Sequence, residues 1–131
     1  MAKFLMVPGT YAAGDSIPLT GDTTRCGPIY HADGEPIILL KGGLCPKNPA
    51  VYDVDVGVTL TSIGATPEQL ELVQDGTRVG GGLISFDAAA AGEVETTSKP
   101  NEVTAIGSAR IAVNAITAVT ITDGLVVVNA Q

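Results

Sequence analysis

The 131-residue chain has no tryptophan, one histidine, two cysteines, and only two phenylalanines and three tyrosines. A core without bulky rings must be built from Val, Ile, Leu and Ala, and apolar residues do make up 45% of the composition. Positive charge is also scarce: seven Lys and Arg stand against fourteen Asp and Glu, for a net charge of −7. The seven are scattered singly at Lys3, Arg25, Lys41, Lys47, Arg78, Lys99 and Arg110. Contact with nucleic acid needs clustered Lys and Arg to neutralise phosphates, so the sequence argues against that class of partner. Adhesion to an acidic membrane is disfavoured on the same ground.

Long apolar runs are missing too. None approaches the ~20 residues of a membrane-spanning helix. The stretch Phe4–Val7 after Lys3 stops at Pro8, well short of the roughly 7–15 residues of a secretory signal core. The expectation is a soluble chain made in the cytoplasm. No region combines high charge with few apolar residues, so extensive disorder is not expected. Nor is there a nucleophile elbow, a Gly-rich phosphate loop or a Ser–His–Asp set, and the chain is not expected to be an enzyme.

What the chain does have is alternation. In "VYDVDVGVTL", Tyr52, Val54, Val56, Val58 and Leu60 alternate with Asp53, Asp55, Gly57 and Thr59. Period two puts one apolar face on a half-buried strand, whereas a helix would spread the same residues around its surface. Leu70 with Leu72, Ile111 with Val113, and Val119 with Ile121 repeat the pattern over shorter spans. "PIILLK" is apolar throughout and reads as a strand covered on both faces, and "LVVVNA" closes the chain similarly. The 16 glycines and 8 prolines punctuate these runs. Turns are expected at Gly14-Asp15, Gly21-Asp22, Asp33-Gly34, Gly42-Gly43, Asp75-Gly76, Gly80–Gly82 and Asp123-Gly124. Short strands at such spacing indicate a single all-β domain, a sandwich or a barrel. "TPEQLELVQ" and "DAAAAGEVE" are the rival helical segments. Thr66 and Pro67 imitate a helix start, and Gly92 cuts the second segment short; both are read as strands or loops.

The segment "CGPIYHADGEPIILLKGGLC" gathers Cys26, His31, Asp33, Glu35 and Cys45. Structural zinc sites bring their ligands in pairs about two to four residues apart; the spacings here are five and fourteen, so no metal site is expected. A Cys26–His31 nucleophile pair fails if the segment is extended, because residues five apart then lie on opposite faces. The plainer reading is a hairpin in which Cys26 packs as a small hydrophobe and His31 ends a strand before an Asp-Gly bend. A Cys26–Cys45 disulfide requires adjacent strands to bring the two together, and a cytoplasmic chain would keep both reduced. Asp53 and Asp55 share a strand face but offer too few oxygens for calcium, so a solvated face is expected. No cofactor is implied.

Taken in order, "PIYHADGEPIILLKGG", "AVYDVDVGVTL", "LELVQDGTRVGGG" and "ARIAVNAITAVTITDGLVVVNA" resemble small jelly-roll proteins of the TNF and complement globular-head superfamily. The resemblance is greatest to versions encoded in phages and prophages of gut bacteria, and it covers roughly residues 16–129. It implies a two-sheet jelly-roll sandwich that assembles as a homotrimer. The chain departs from many relatives in its few aromatics and in lacking a Gly-X-Y stalk. Virus-encoded relatives commonly decorate capsids or form head fibres. The resemblance therefore implies a structural virion protein on the outer capsid surface, partnered by the major capsid protein and stabilising the shell. The rival reading is a fibre-tip module that binds a receptor or glycan, against which the scarcity of aromatics counts.

Residues 16–131 would form the jelly roll, with 1–15 as either an N-terminal arm or a first strand. If an arm, Lys3, Phe4, Leu5, Met6, Val7 and Pro8 are the candidates for docking on the capsid. Ile37 and Leu39, with Val126 and Val128, lie in the two continuous apolar runs and are candidate trimer contacts. The alternative is that both runs are central strands covered within one subunit.

Overall fold

The computed structural model describes residues 2–21, 28–42, 50–64, 68–86 and 91–130. Eleven strands follow one another: β1 (Ala2–Met6), β2 (Gly9–Tyr11), β3 (Leu19–Thr20), β4 (Ile29–Tyr30), β5 (Ile38–Lys41), β6 (Ala50–Thr61), β7 (Glu68–Gln74), β8 (Thr77–Phe86), β9 (Val94–Ala105), β10 (Ser108–Ala115) and β11 (Val119–Ala130). They form two antiparallel sheets. The front sheet runs β3-β1-β11-β6-β9 with β2 also on β11, and the back sheet runs β4-β5-β10-β7-β8. From β5 onward the chain crosses repeatedly between the two, which is the jelly-roll course.

Alternation decides what each strand buries. On β6, Tyr52, Val54, Val56, Val58 and Leu60 are all buried, and their alternates face outward. Leu70, Leu72, Ile84, Ile111, Val113, Val119 and Ile121 join them in one core between the sheets. The "PEQLELVQ" segment is strand β7 from Glu68 onward, since two inward leucines on alternate positions satisfy a sheet better than a helix face. Thr66, Pro67 and Ala88–Ala90 lie outside the described residues.

Three expectations need correction. Asp123-Gly124 is not a turn: β11 continues through it, with a register shift between Ile121 and Asp123. Gly124 is buried opposite Val58, and a Cβ there would come within 2.7 Å of Met6 Cγ. The glycine makes room for a core side chain rather than for a bend. Gly80–Gly82 is likewise inside β8. Leu83 pairs with Glu71 and Arg78 with Val73, so Val79–Gly82 bulges opposite Leu72 alone. Gly81 takes φ 77°, and a Cβ on Gly82 would stand 2.8 Å from the Leu72 carbonyl oxygen, so the glycines permit a wide bulge on an edge strand. The "PIILLK" strand is covered on one face only: Ile38 and Leu40 are buried, while Leu39 is half-buried and Ile37 is 47% exposed. Of the two alternatives for residues 1–15, Ala2–Met6 takes the strand, hydrogen-bonded between β11 and β3.

Candidate functional surfaces

The Cys26–Cys45 segment divides at the described residues. Both cysteines lie outside them, and with them the metal, nucleophile and disulfide readings. His31 follows β4 and is 1% exposed. Its Nδ1 meets the Gly21 carbonyl, its Nε2 lies 2.6 Å from the Glu35 carbonyl, and its ring stands edge-on to Phe4 at 4.8 Å. Asp33 accepts a hydrogen bond from Gly21 N at 2.9 Å, and Gly34 N donates to Leu19 O. The Asp33-Gly34 bend is thus stitched to β3, and β4 pairs with β5 through Ile29–Leu40 and Tyr30–Leu39. This is framework. Tyr52 has the same role: its phenol donates to the Lys41 carbonyl, and burial pushes its pKa up from 10.0.

The docking candidates separate by parity. Phe4 and Met6 face the core at 1% and 3% exposure, while Lys3 and Leu5 point outward, Leu5 at 55%. Val7 and Pro8 link β1 to β2. Of the candidate trimer contacts, Val126 and Val128 are covered inside the single chain, at 1% and 0% exposure. They pair with the inward Val56 and Val54, so their side chains point into the sandwich. Ile37 and Leu39 reach the outer side of the back sheet.

The outer face of the front sheet is organised in bands. Leu5 pairs with Leu125 and Leu125 with Gly57; one row on, Lys3 pairs with Val127 and Val127 with Asp55. Paired residues share a face, so Leu5, Leu125 and Val127 form one apolar patch. It borders a shallow depression of about 330 Å³ lined by Asp55, Gly57, Ser98, Pro100, Leu125 and Val127. Only Ser98 Cβ, at 4.0 Å, neighbours the place where a Gly57 Cβ would be, so the glycine leaves a notch. Toward one end lie Asp53, Asp55 and Glu102, with Asp53 directly across from Glu102. Among the described residues no three His, Cys, Asp or Glu side chains converge as metal ligands. Toward the other end, Thr10 bonds Thr120 at 3.0 Å and Thr59 bonds Thr96 at 2.9 Å.

Leu125, Val127 and Gly57 were not singled out by sequence reasoning. An unbroken apolar run carries no parity, so nothing in "LVVVN" says which valines face in. The signal lay one strand away, in the strict alternation of β6, whose register with β11 fixes the parity.

The back sheet carries a second hollow on its outer face, a groove of about 370 Å³ beside β10, lined among others by Ser16, Ile37, Asp75, Arg110, Ala112 and Asn114.

No protein-family description matches the chain, and no curated protein sequence does. Solved structures do. Murine APRIL at pH 5.0 superposes with a TM-score of 0.61 at 9% identity, covering 95% of this chain and 96% of that one. Murine APRIL at pH 8.5 gives 0.60 at 10% identity, covering 97% of each. The globular domain of zebrafish complement 1qA protein gives 0.53 at 8% identity, covering 98% and 96%. Identities this low speak for the fold alone, and that fold is the TNF-like jelly roll.

Proposed function

We propose that the chain is a homotrimeric structural module whose front-sheet outer face packs against neighbouring copies, and that the trimer decorates the outer surface of a phage capsid. The observation that carries the assembly is the contiguous patch of Leu5, Leu125 and Val127 beside the Gly57 notch. Contiguous apolar side chains on the water-facing side of a sheet support an interface reading more than scattered ones do. A knob of one copy set into the notch of the next is a heterologous contact, which closes into a ring when the rotation is right. The capsid role rests on the resemblance to phage-encoded jelly rolls, and the chain's acidic balance supports it only by disfavouring nucleic acid as a rival partner.

Two measurements test the two parts separately. Light scattering behind size exclusion should give a trimer at micromolar concentration, and Val127→Glu should give a folded monomer, a charge at an interface centre costing about 2 kcal/mol or more per contact. A monomeric parent, or a trimer unaffected by the substitution, removes the assembly. Co-purification with intact particles at a fixed ratio to the major shell protein tests the decoration role; a trimer absent from particles removes that role and leaves the assembly standing.

A further inference from the structure

The groove on the back sheet is built differently from the assembly face. β10 is the central strand of that sheet, with Arg110, Ala112 and Asn114 on its outer side. On one flank β5 stops at Ile38, opposite Ile111, and the next residue to bridge to β10 is Ser16, opposite Asn114. The gap leaves Ala112 as floor, with Ile37 and Ser16 at its two ends. On the other flank stands the Asp75–Gly76 turn that joins β7 to β8. A hollow of this size falls within the range of small-molecule sites.

Its chemistry is specific. Arg110 is exposed, and no ion pair or side-chain hydrogen bond holds its guanidinium among the described residues, where the ion pair present is Arg78–Glu71 at 2.7 Å. Asp75 lies in the same groove but forms no ion pair with Arg110 among the described residues. Its Oδ1 accepts from the Arg110 backbone N–H at 3.1 Å, which fixes the carboxylate at the rim. Ser16 donates its hydroxyl to Asn114 Oδ1 at 2.7 Å, which turns the amide donors of Asn114 outward. The groove thus offers a guanidinium fork, an amide donor, a carboxylate acceptor and a small apolar floor edged by the exposed Ile37.

We infer that this groove binds a carboxylate-bearing sugar. The Arg110 fork takes the carboxylate, as guanidinium groups do with two parallel hydrogen bonds. Asp75 accepts from ring hydroxyls, Asn114 donates to a ring or hydroxyl oxygen, and Ile37 with Ala112 packs against the C–H face. A peptide carboxylate fits less well. A peptide needs a run of free backbone groups, and here β7 pairs with β10 along Ile111–Ala115 while β5, Asp15 and Ile17 take the other side except at the short gap itself. The inference stands apart from the capsid assembly, since groove and assembly face are on opposite sheets.

The test is an amide-resolved NMR titration of the full chain with three probes: methyl β-D-glucuronide, methyl β-D-glucoside and N-acetyl-Ala-Ala. Saturable shifts at Ile37, Gly76 and residues 110–114 are expected with the glucuronide, with the uncharged glucoside weaker by roughly tenfold or more. Arg110→Gln should weaken the glucuronide by a similar factor while leaving the melting temperature unchanged, because that side chain holds nothing in the fold. Ala112→Leu should fill the floor and abolish binding of either sugar. Equal affinity for the two sugars, no saturable shift, unchanged affinity in Arg110→Gln, or tighter binding of the dipeptide would each overturn the inference.

Discussion

Met6 lies across the backbone of Gly124, and the absence of a side chain at that one position lets β1 close on β11. Substituting Gly124→Val should overpack the site and cost about 1–3 kcal/mol in urea denaturation. Combining it with Met6→Ala should recover part of that loss, because the two residues share one space; strict additivity would show that the clash is not the cause. Tyr52 carries a different liability. The folded state holds its phenol neutral, with a pKa raised by burial, whereas the unfolded chain releases the proton near the ordinary 10.0. Below pH ~10 both states keep the proton and the group adds no pH dependence; above it the unfolded state binds fewer protons and stability falls as pH rises. Tyr11 is shifted in the same direction for the same reason. Melting curves between pH 9 and 12 should therefore fall steeply in the parent and less steeply in Tyr52→Phe. Equal slopes would remove Tyr52 from the account.

Among elements, β1 is the one whose role changes most once its partners are known. It sits between β3 and β11 and contributes Phe4 and Met6 to the core. Deleting Ala2–Tyr11 would remove both side chains, at roughly 2–5 kcal/mol each, and would leave one edge of β11 unpaired. Against a typical stability of about 5–15 kcal/mol, the deleted chain should be unfolded, seen as collapsed amide dispersion in NMR. A folded deletion product would mean that the segment is an appendage after all. The edge strand β9 shows how a long edge is kept from pairing with other chains. It carries Pro100, and Glu95 and Lys99 sit on its core-side face opposite Leu60 and Val56. Proline and inward charges are ways in which natural edges avoid aggregation.

The two outer faces of the sandwich divide the surface into unlike chemistries. The front face is apolar at its middle, threonine-rich at one end and acidic at the other; the back face holds the Arg110 groove. The proposed assembly through the front face would leave the inferred groove open to solvent, so assembly and ligand binding do not compete for one surface. Asp53, Asp55 and Glu102 sit on the same front face as the apolar patch, and bringing copies of a chain of charge −7 together there sets repulsion against apolar burial.

Residue identities alone determined the all-β class and the main core strand. The ten-residue alternation of β6 needs no tertiary information, because period two leaves a helix no apolar face. They also pointed to the bend at Asp33-Gly34 between the strands Ile29–Tyr30 and Ile38–Lys41, since turn chemistry is local. Parity within uniformly apolar runs was beyond the sequence: whether Val126 or Val127 faces water depends on register with β6, a contact between residues far apart in the chain. The meaning of the glycines was beyond it too. At Gly34 the residue serves a turn, at Gly57 a notch, at Gly82 a bulge and at Gly124 the space for Met6. Only the approach of a distant strand distinguishes these cases, because a missing side chain has no local signature beyond its absence. The Arg110 groove arose in the same way, from where β5 happens to stop against β10.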